Sequence, residues 1–226
     1  MKNLLIAFSG KGMSGKSTSS KLLKEIIEKQ TLNQAEIFSF ATEIKNIARN
    51  LFSWDNDKNV YFTDNPPIND KVIPSEEAIK INNMILKGHN GQISVNNPLF
   101  IQPEKEPQRD KGRQLLINIG QQMRWIRQSV WAEFTMKQIN LKNAVKKENQ
   151  IFIIDDLRFK SELNVIKNFK NLISIRLTRN SQLDLKDISE VDLDNEKFDE
   201  YIDNNKDMED LKIKITEIYK KYIFGR

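Results

Sequence analysis

The most constraining feature of the chain is an octet, Gly10-Lys11-Gly12-Met13-Ser14-Gly15-Lys16-Ser17, set between an apolar run and an amphipathic stretch. It fits the pattern G-x-x-x-x-G-K-[ST] without a mismatch. The run before it, residues 3–8, reads as a buried parallel strand. The stretch after it, Lys16 to Gln30, carries Leu22, Leu23, Ile26 and Ile27 at helical spacing. Glycines let a loop turn so that successive N–H groups point inward at an anion, and the following helix adds its positive N-terminal end. Gly10, Gly12, Ser14, Gly15, Lys16, Ser17 and Thr18 are therefore the candidate ATP-binding residues. Lys16 is expected to bridge the β- and γ-phosphates and the Ser17 hydroxyl to ligate Mg²⁺.

The rest of the chain narrows what surrounds that loop. Strand-like runs at 35–40, 151–154, 172–177 and 201–202 alternate with helical patterns at 42–52, 161–169 and 208–223. Such alternation predicts an α/β fold, a three-layer sandwich of a parallel five-stranded sheet flanked by helices. Two helices are expected at 112–119 and 121–147, the second broken near Ser129–Val130. All six prolines fall between 66 and 107, so 54–108 reads as a lid-like insertion in one domain spanning 1–226. Residues 184–200 read as an acidic loop.

Composition then removes whole classes of chemistry. There is no cysteine and one histidine, His89, which excludes thiolate metal sites and disulfides and leaves little room for histidine-based catalysis. No apolar run is long enough to span a membrane, so a cytoplasmic protein without a membrane partner is expected. Residues 184–210 hold twelve Asp/Glu against three Lys, which leaves about +14 on the remainder of a chain whose net charge is +5. That basic body suits phosphates or nucleic acid. A guanine-reading Asn-Lys-x-Asp run is missing; Asn205-Lys206-Asp207 places its aspartate one position early. Small size, central arginines and a lid point to a small-molecule kinase.

Four further blocks resemble the bacteriophage-type deoxynucleoside monophosphate kinases, a family of P-loop NTPase fold. Asp156-Leu157-Arg158-Phe159-Lys160-Ser161-Glu162 is similar to that family's D-x-R-F-x-x-E segment, and Phe40-Ala41-Thr42-Glu43-Ile44-Lys45 to its second-strand-to-helix passage. Arg113 to Gly120 is similar to its R-x-L-L-x-x-x-G helix, followed by Trp131. Ile188-Ser189-Glu190, Phe198-Asp199 and Asp210-Leu211 resemble its C-terminal pattern. Gln121 and Ile117 depart from the residues common there, at positions that bear on the acceptor pocket. The resemblance implies transfer of the γ-phosphate of ATP to a deoxynucleoside 5′-monophosphate, in the cytoplasm of a bacterial host if the chain is phage-encoded.

Arginine suits phosphate because its planar fork donates two parallel bonds and keeps its charge. Arg113, Arg124, Arg127 and Arg158 are thus candidates for the acceptor phosphate or the transferring group. Arg113 and Arg158, with Lys16 and Asp156, form the expected catalytic set. Asp156 ends a buried strand where parallel sheets bind ligands; it could accept from the nucleoside, support Mg²⁺ through water, or cap the next helix. Asp155 competes for the Mg²⁺ role. Glu162 could orient Arg158 by a charged pair, and Trp131 could stack on the acceptor base or fill the core. Two alternatives stay open: a kinase of another phosphorylated metabolite, such as phosphomevalonate or dephospho-coenzyme A, and a nucleic-acid-binding ATPase. Sparse aromatics, at 8%, disfavour the latter. A homodimer is left open.

Overall fold

The computed structural model describes residues 3–31, 33–52, 109–145, 150–180 and 188–224. The insertion expected at 54–108 lies outside the described residues. Five strands, β1 (Leu4–Gly10), β2 (Gln34–Phe38), β3 (Gln150–Leu157), β4 (Leu172–Thr178) and β5 (Glu200–Asp203), form one sheet in the order β2-β3-β1-β4-β5. Every pairing is parallel. Helices α1 (Lys16–Gln30), α2 (Thr42–Phe52), α3 (Arg109–Ile126), α4 (Val130–Val145), α5 (Lys160–Ile166), α6 (Ile188–Val191) and α7 (Met208–Tyr222) complete the described elements. The chain divides into two compact units, Met1–Phe40 with Gln128–Arg226, and Ala41–Arg127.

The first unit holds the sheet. All seven residues of β1 are buried, as a central strand covered on both faces requires. Alternation sends Leu4, Ile6 and Phe8 to one face, where Leu23 and Ile27 of α1 and Leu211, Ile215 and Tyr219 of α7 close a core with Ile151 and Ile153. Leu5, Ala7, Phe152 and Ile154 take the opposite face and are fully buried. There the Phe152 ring meets Phe169, just beyond α5, edge-on at 6.3 Å. Each leucine, isoleucine or phenylalanine among them contributes about 1.5–3 kcal/mol on burial.

β3 runs three residues past the apolar run 151–154. Asp155 and Asp156 are only half-buried, so the strand carries its carboxylates at the rim of the sheet and still pairs Leu157 with Ser9. A register shift between Ala7 and Ser9 accommodates the longer strand.

The second unit contains α2 and α3. The expected helix end at Ile119 is not observed: α3 continues through Gly120 to Ile126. A Cβ on Gly120 would come within 3.3 Å of Ile44 Cδ1 on α2, so this glycine permits close helix packing and does not end the helix. The break expected near Ser129–Val130 is found at the start of α4, where the Ser129 hydroxyl donates to Glu133 Oε1 at 2.6 Å. Within the stretch read as an acidic loop, residues 188–191 form the single turn α6. Among the described residues no helix is long and apolar enough to cross a membrane.

Candidate functional site

β1 leads to α1 on one face of the sheet, and β3 leads to α5 on the other. Their carboxyl ends therefore flank a switch point, the place where open parallel sheets bind ligands. The glycine loop begins there. Gly10 has φ +151°, Met13 +60° and Gly15 +100°. A Cβ on Gly10 would lie 2.5 Å from Ser14 Oγ and 2.6 Å from the Leu177 carbonyl; one on Gly15 would lie 2.4 Å from Asn204 Nδ2. Both positions thus require glycine, for backbone angle and for space. Asn204, at the end of β5, clamps the loop from outside by donating to the Ser14 carbonyl at 2.9 Å.

The interior of the loop is rich in donors. α1 begins without a side-chain cap and without an acidic residue in its first turn, so its leading N–H groups and its positive end are left to the loop. Ser14 is buried, and its hydroxyl finds no hydrogen-bond partner among the described residues. Lys16 is 7% exposed. Its ammonium folds back to donate to the carbonyls of Gly10 at 2.6 Å and Lys11 at 2.8 Å. Burial, and secondarily the Arg158 guanidinium, lower its pKa from 10.5 to about 8, against the pull of Glu190 and Asp156. Ser17 is exposed and Thr18 half-buried on the first turn of α1.

Three carboxylates organise the surroundings. Asp156 accepts from the Ser39 hydroxyl at 2.5 Å and from the Phe40 N–H at 2.8 Å. It thereby ties the end of β3 to the chain leaving β2. The cap is Glu162, whose Oε2 accepts from the N–H groups of Arg158 at 2.9 Å and Phe159 at 3.0 Å. The Arg158 guanidinium, for which Glu162 was the expected partner, donates to Glu190 Oε1 at 2.5 Å. Glu190 is itself buried, and its other oxygen accepts from the Gly12 N–H.

Beside the loop, Arg176 of β4 is buried. It donates to Ser9 Oγ at 2.8 Å and to Asp194 Oδ1 at 2.5 Å. Its guanidinium lies 5.6 Å from the Phe198 ring centroid, and Lys11 reaches Asp194 at 3.4 Å. Burial lowers the Arg176 pKa from its ordinary value, opposed chiefly by Asp194. A cavity of about 330 Å³ opens here, lined by Lys11, Arg176, Thr178, Arg179, Phe198 and Tyr201 among others.

The structure thus brings Gly10, Gly12, Ser14, Gly15, Lys16, Asp156 and Arg158 to one edge of the sheet, with Asp155 beside them on β3. Arg113, Arg124 and Arg127 belong to the second unit; Arg124 is half-buried and Arg127 exposed, while the side chain of Arg113 lies outside the described part. Trp131 on α4 is 4% exposed, as the core alternative describes. Three residues of the edge carry no role in the reading of the sequence: Glu190, which enters it only within the family-like block 188–190, Asp194 and Asn204. The first two sit in an acidic run that looks solvated, and the third has no local pattern. No protein-family model matches the chain, and no curated protein matches it.

Proposed function

We propose that the protein is an ATP-dependent phosphotransferase that moves the γ-phosphate of ATP onto a deoxynucleoside 5′-monophosphate, giving ADP and the deoxynucleoside diphosphate. The observation that carries this reading is the glycine loop at the switch point: its orphaned Ser14 hydroxyl, uncapped helix end and buried Lys16 ammonium favour an anion at that place. Phosphates entering the loop would draw Lys16 off the Gly10 and Lys11 carbonyls, exchanging neutral acceptors for charged ones. The neighbouring cavity, between Arg176 and Phe198, would take the nucleoside of ATP.

In the transfer, an oxygen of the acceptor phosphate attacks the γ-phosphorus. A new P–O bond forms, the bond from the γ-phosphorus to the bridging β-oxygen breaks, and ADP leaves with that electron pair. The acceptor oxygen is already anionic, so no strong base is needed; positioning and charge neutralisation do the catalysis. Lys16 and Arg158 supply the charge at the glycine loop. Arg113 and Arg124 are the proposed holders of the acceptor.

No group of three or more His, Cys, Asp or Glu able to hold a metal occurs among the described residues. Mg²⁺ fits this donor set as a companion of the phosphates, with the Ser17 hydroxyl and Asp155 or Asp156 through water, since Mg²⁺ uses few protein ligands. When bound it would neutralise charge on the β- and γ-oxygens.

The test is ADP release from ATP and Mg²⁺ with each dNMP and NMP offered singly, beside phosphomevalonate, dephospho-coenzyme A and single-stranded DNA. Stimulation by one or more dNMPs is expected. A response to a coenzyme precursor alone moves the acceptor, and a response to DNA alone overturns the kinase reading.

A further inference from the structure

Glu190 is in an unusual place for a carboxylate. It lies against a loop whose other features attract anions, and it takes two donors that an anion would take: the Gly12 N–H and the Arg158 guanidinium. A Cβ added to Gly12 would stand 3.4 Å from Glu190 Oε1, so the carboxylate lies directly over the glycine. Lys16 lies close enough for Glu190 to raise its pKa.

A tie that merely shapes the loop does not need charge. Asn204 makes such a tie to Ser14 with a neutral amide. Burying a carboxylate is costly unless its hydrogen bonds repay the lost hydration, and here a backbone N–H and a guanidinium provide them. The residue is carried by α6, a single turn whose Ile188 and Val191 remain exposed at 59% and 43%. Rotation of the Glu190 side chain alone, with Leu193 kept in the core at 1% exposure, would free the Gly12 N–H.

We propose that Glu190 is a positioning residue that works by standing in for a phosphate oxygen. Before the nucleotide arrives, its carboxylate occupies the Gly12 donor and holds Arg158 at the loop. The incoming phosphate displaces the carboxylate and inherits both donors. The inference rests on the phosphate-binding reading of the loop and adds to it the step by which the site changes hands.

The test measures inorganic pyrophosphate binding by calorimetry to the wild-type chain, Glu190→Gln and Asp194→Asn. Removing the competing charge while keeping the shape is expected to tighten binding about tenfold in Glu190→Gln. Asp194→Asn removes an equal charge from the same edge without touching Gly12, and is expected to gain clearly less. Equal gains in both variants would mean a general field effect and would overturn the proposal, as would unchanged or weaker binding by folded Glu190→Gln. A second measurement needs no variant: in wild-type protein, the Gly12 amide and the Glu190 side-chain carboxyl resonances should both move as pyrophosphate saturates the site. A Glu190 resonance that stays put while pyrophosphate binds overturns the displacement and leaves the phosphate reading intact. No pyrophosphate binding by either wild type or Glu190→Gln overturns both.

Discussion

The two edges of the sheet solve the same problem with opposite chemistry. At the amino edge, Asn3 accepts from the Gln150 N–H at 2.8 Å and donates to Asn143, and Asn171 donates to the Asn3 carbonyl at 3.0 Å. Neutral amides there join the starts of β1, β3 and β4, beside an open groove of about 860 Å³. At the carboxyl edge the cavity is smaller, about 330 Å³, yet Lys16, Arg158, Arg176, Asp156, Glu190 and Asp194 crowd around the loop. Among the described residues the larger hollow is lined by three scattered charged side chains, Glu133, Lys137 and Lys170, whereas the smaller one is surrounded by paired charge. Buried, paired charge costs desolvation that amide ties avoid, so its concentration at one edge supports the proposed site there, which volume alone does not.

Substitutions can break this contrast, beginning with the largest effect. Lys16→Ala should lower phosphoryl transfer at least about a thousandfold, since it removes the buried cation meant for the transferring group. Circular dichroism should remain native, and near-normal turnover would remove the carboxyl edge from consideration. Asp156→Ala strips the acceptor from Ser39 Oγ and the Phe40 N–H. It should cost about 2–4 kcal/mol in urea unfolding, because two donors to a charged group lose their partner.

The pH response of Lys16 sharpens the comparison further. The folded protein releases this proton near pH 8, the unfolded chain near 10.5. Below about 8 both states are protonated and the contribution is flat. Between about 8 and 10.5 the unfolded state binds more protons, so this group makes folding more favourable as pH rises. Pyrophosphate binding should run the other way, weakening above pH 8 by at most about tenfold per unit, because it needs the ammonium. Calorimetry and unfolding across that range should show both slopes, and Lys16→Met should abolish both. The smallest effect is expected at the other edge: Asn143→Ala should cost no more than about 1 kcal/mol and leave turnover unchanged.

Much of the scaffold was legible because it follows local rules. The helix at 42–52 appears with the expected bounds, and β1, β4 and β5 emerge from short apolar runs. The loop was legible too, because glycine demands are local: Gly10 and Gly15 have the positive φ values that the octet calls for. Misreadings arose where a distant neighbour decided the outcome. Gly120 looks like a stop until Ile44 is packed against it. Arg158 has Glu162 four residues away, yet its guanidinium meets Glu190, thirty-two positions on. Charged side chains are long and find partners through the fold, so sequence spacing ranks their neighbours poorly.

The central position of β1 also has a consequence for synthesis. Its hydrogen-bonded neighbours are β3 and β4, beginning with Leu4 against Ile151 and Leu5 against Leu172. About 140 residues separate the end of β1 from the first of these partners, an interval of about 10–30 s at ordinary elongation rates. During that time a strand with five consecutive apolar residues, Leu4 to Phe8, has no native edge to join, which is the condition under which nascent chains aggregate. A chain stalled on the ribosome before residue 150 should therefore recruit a chaperone at residues 4–8, and one stalled past β4 should release it.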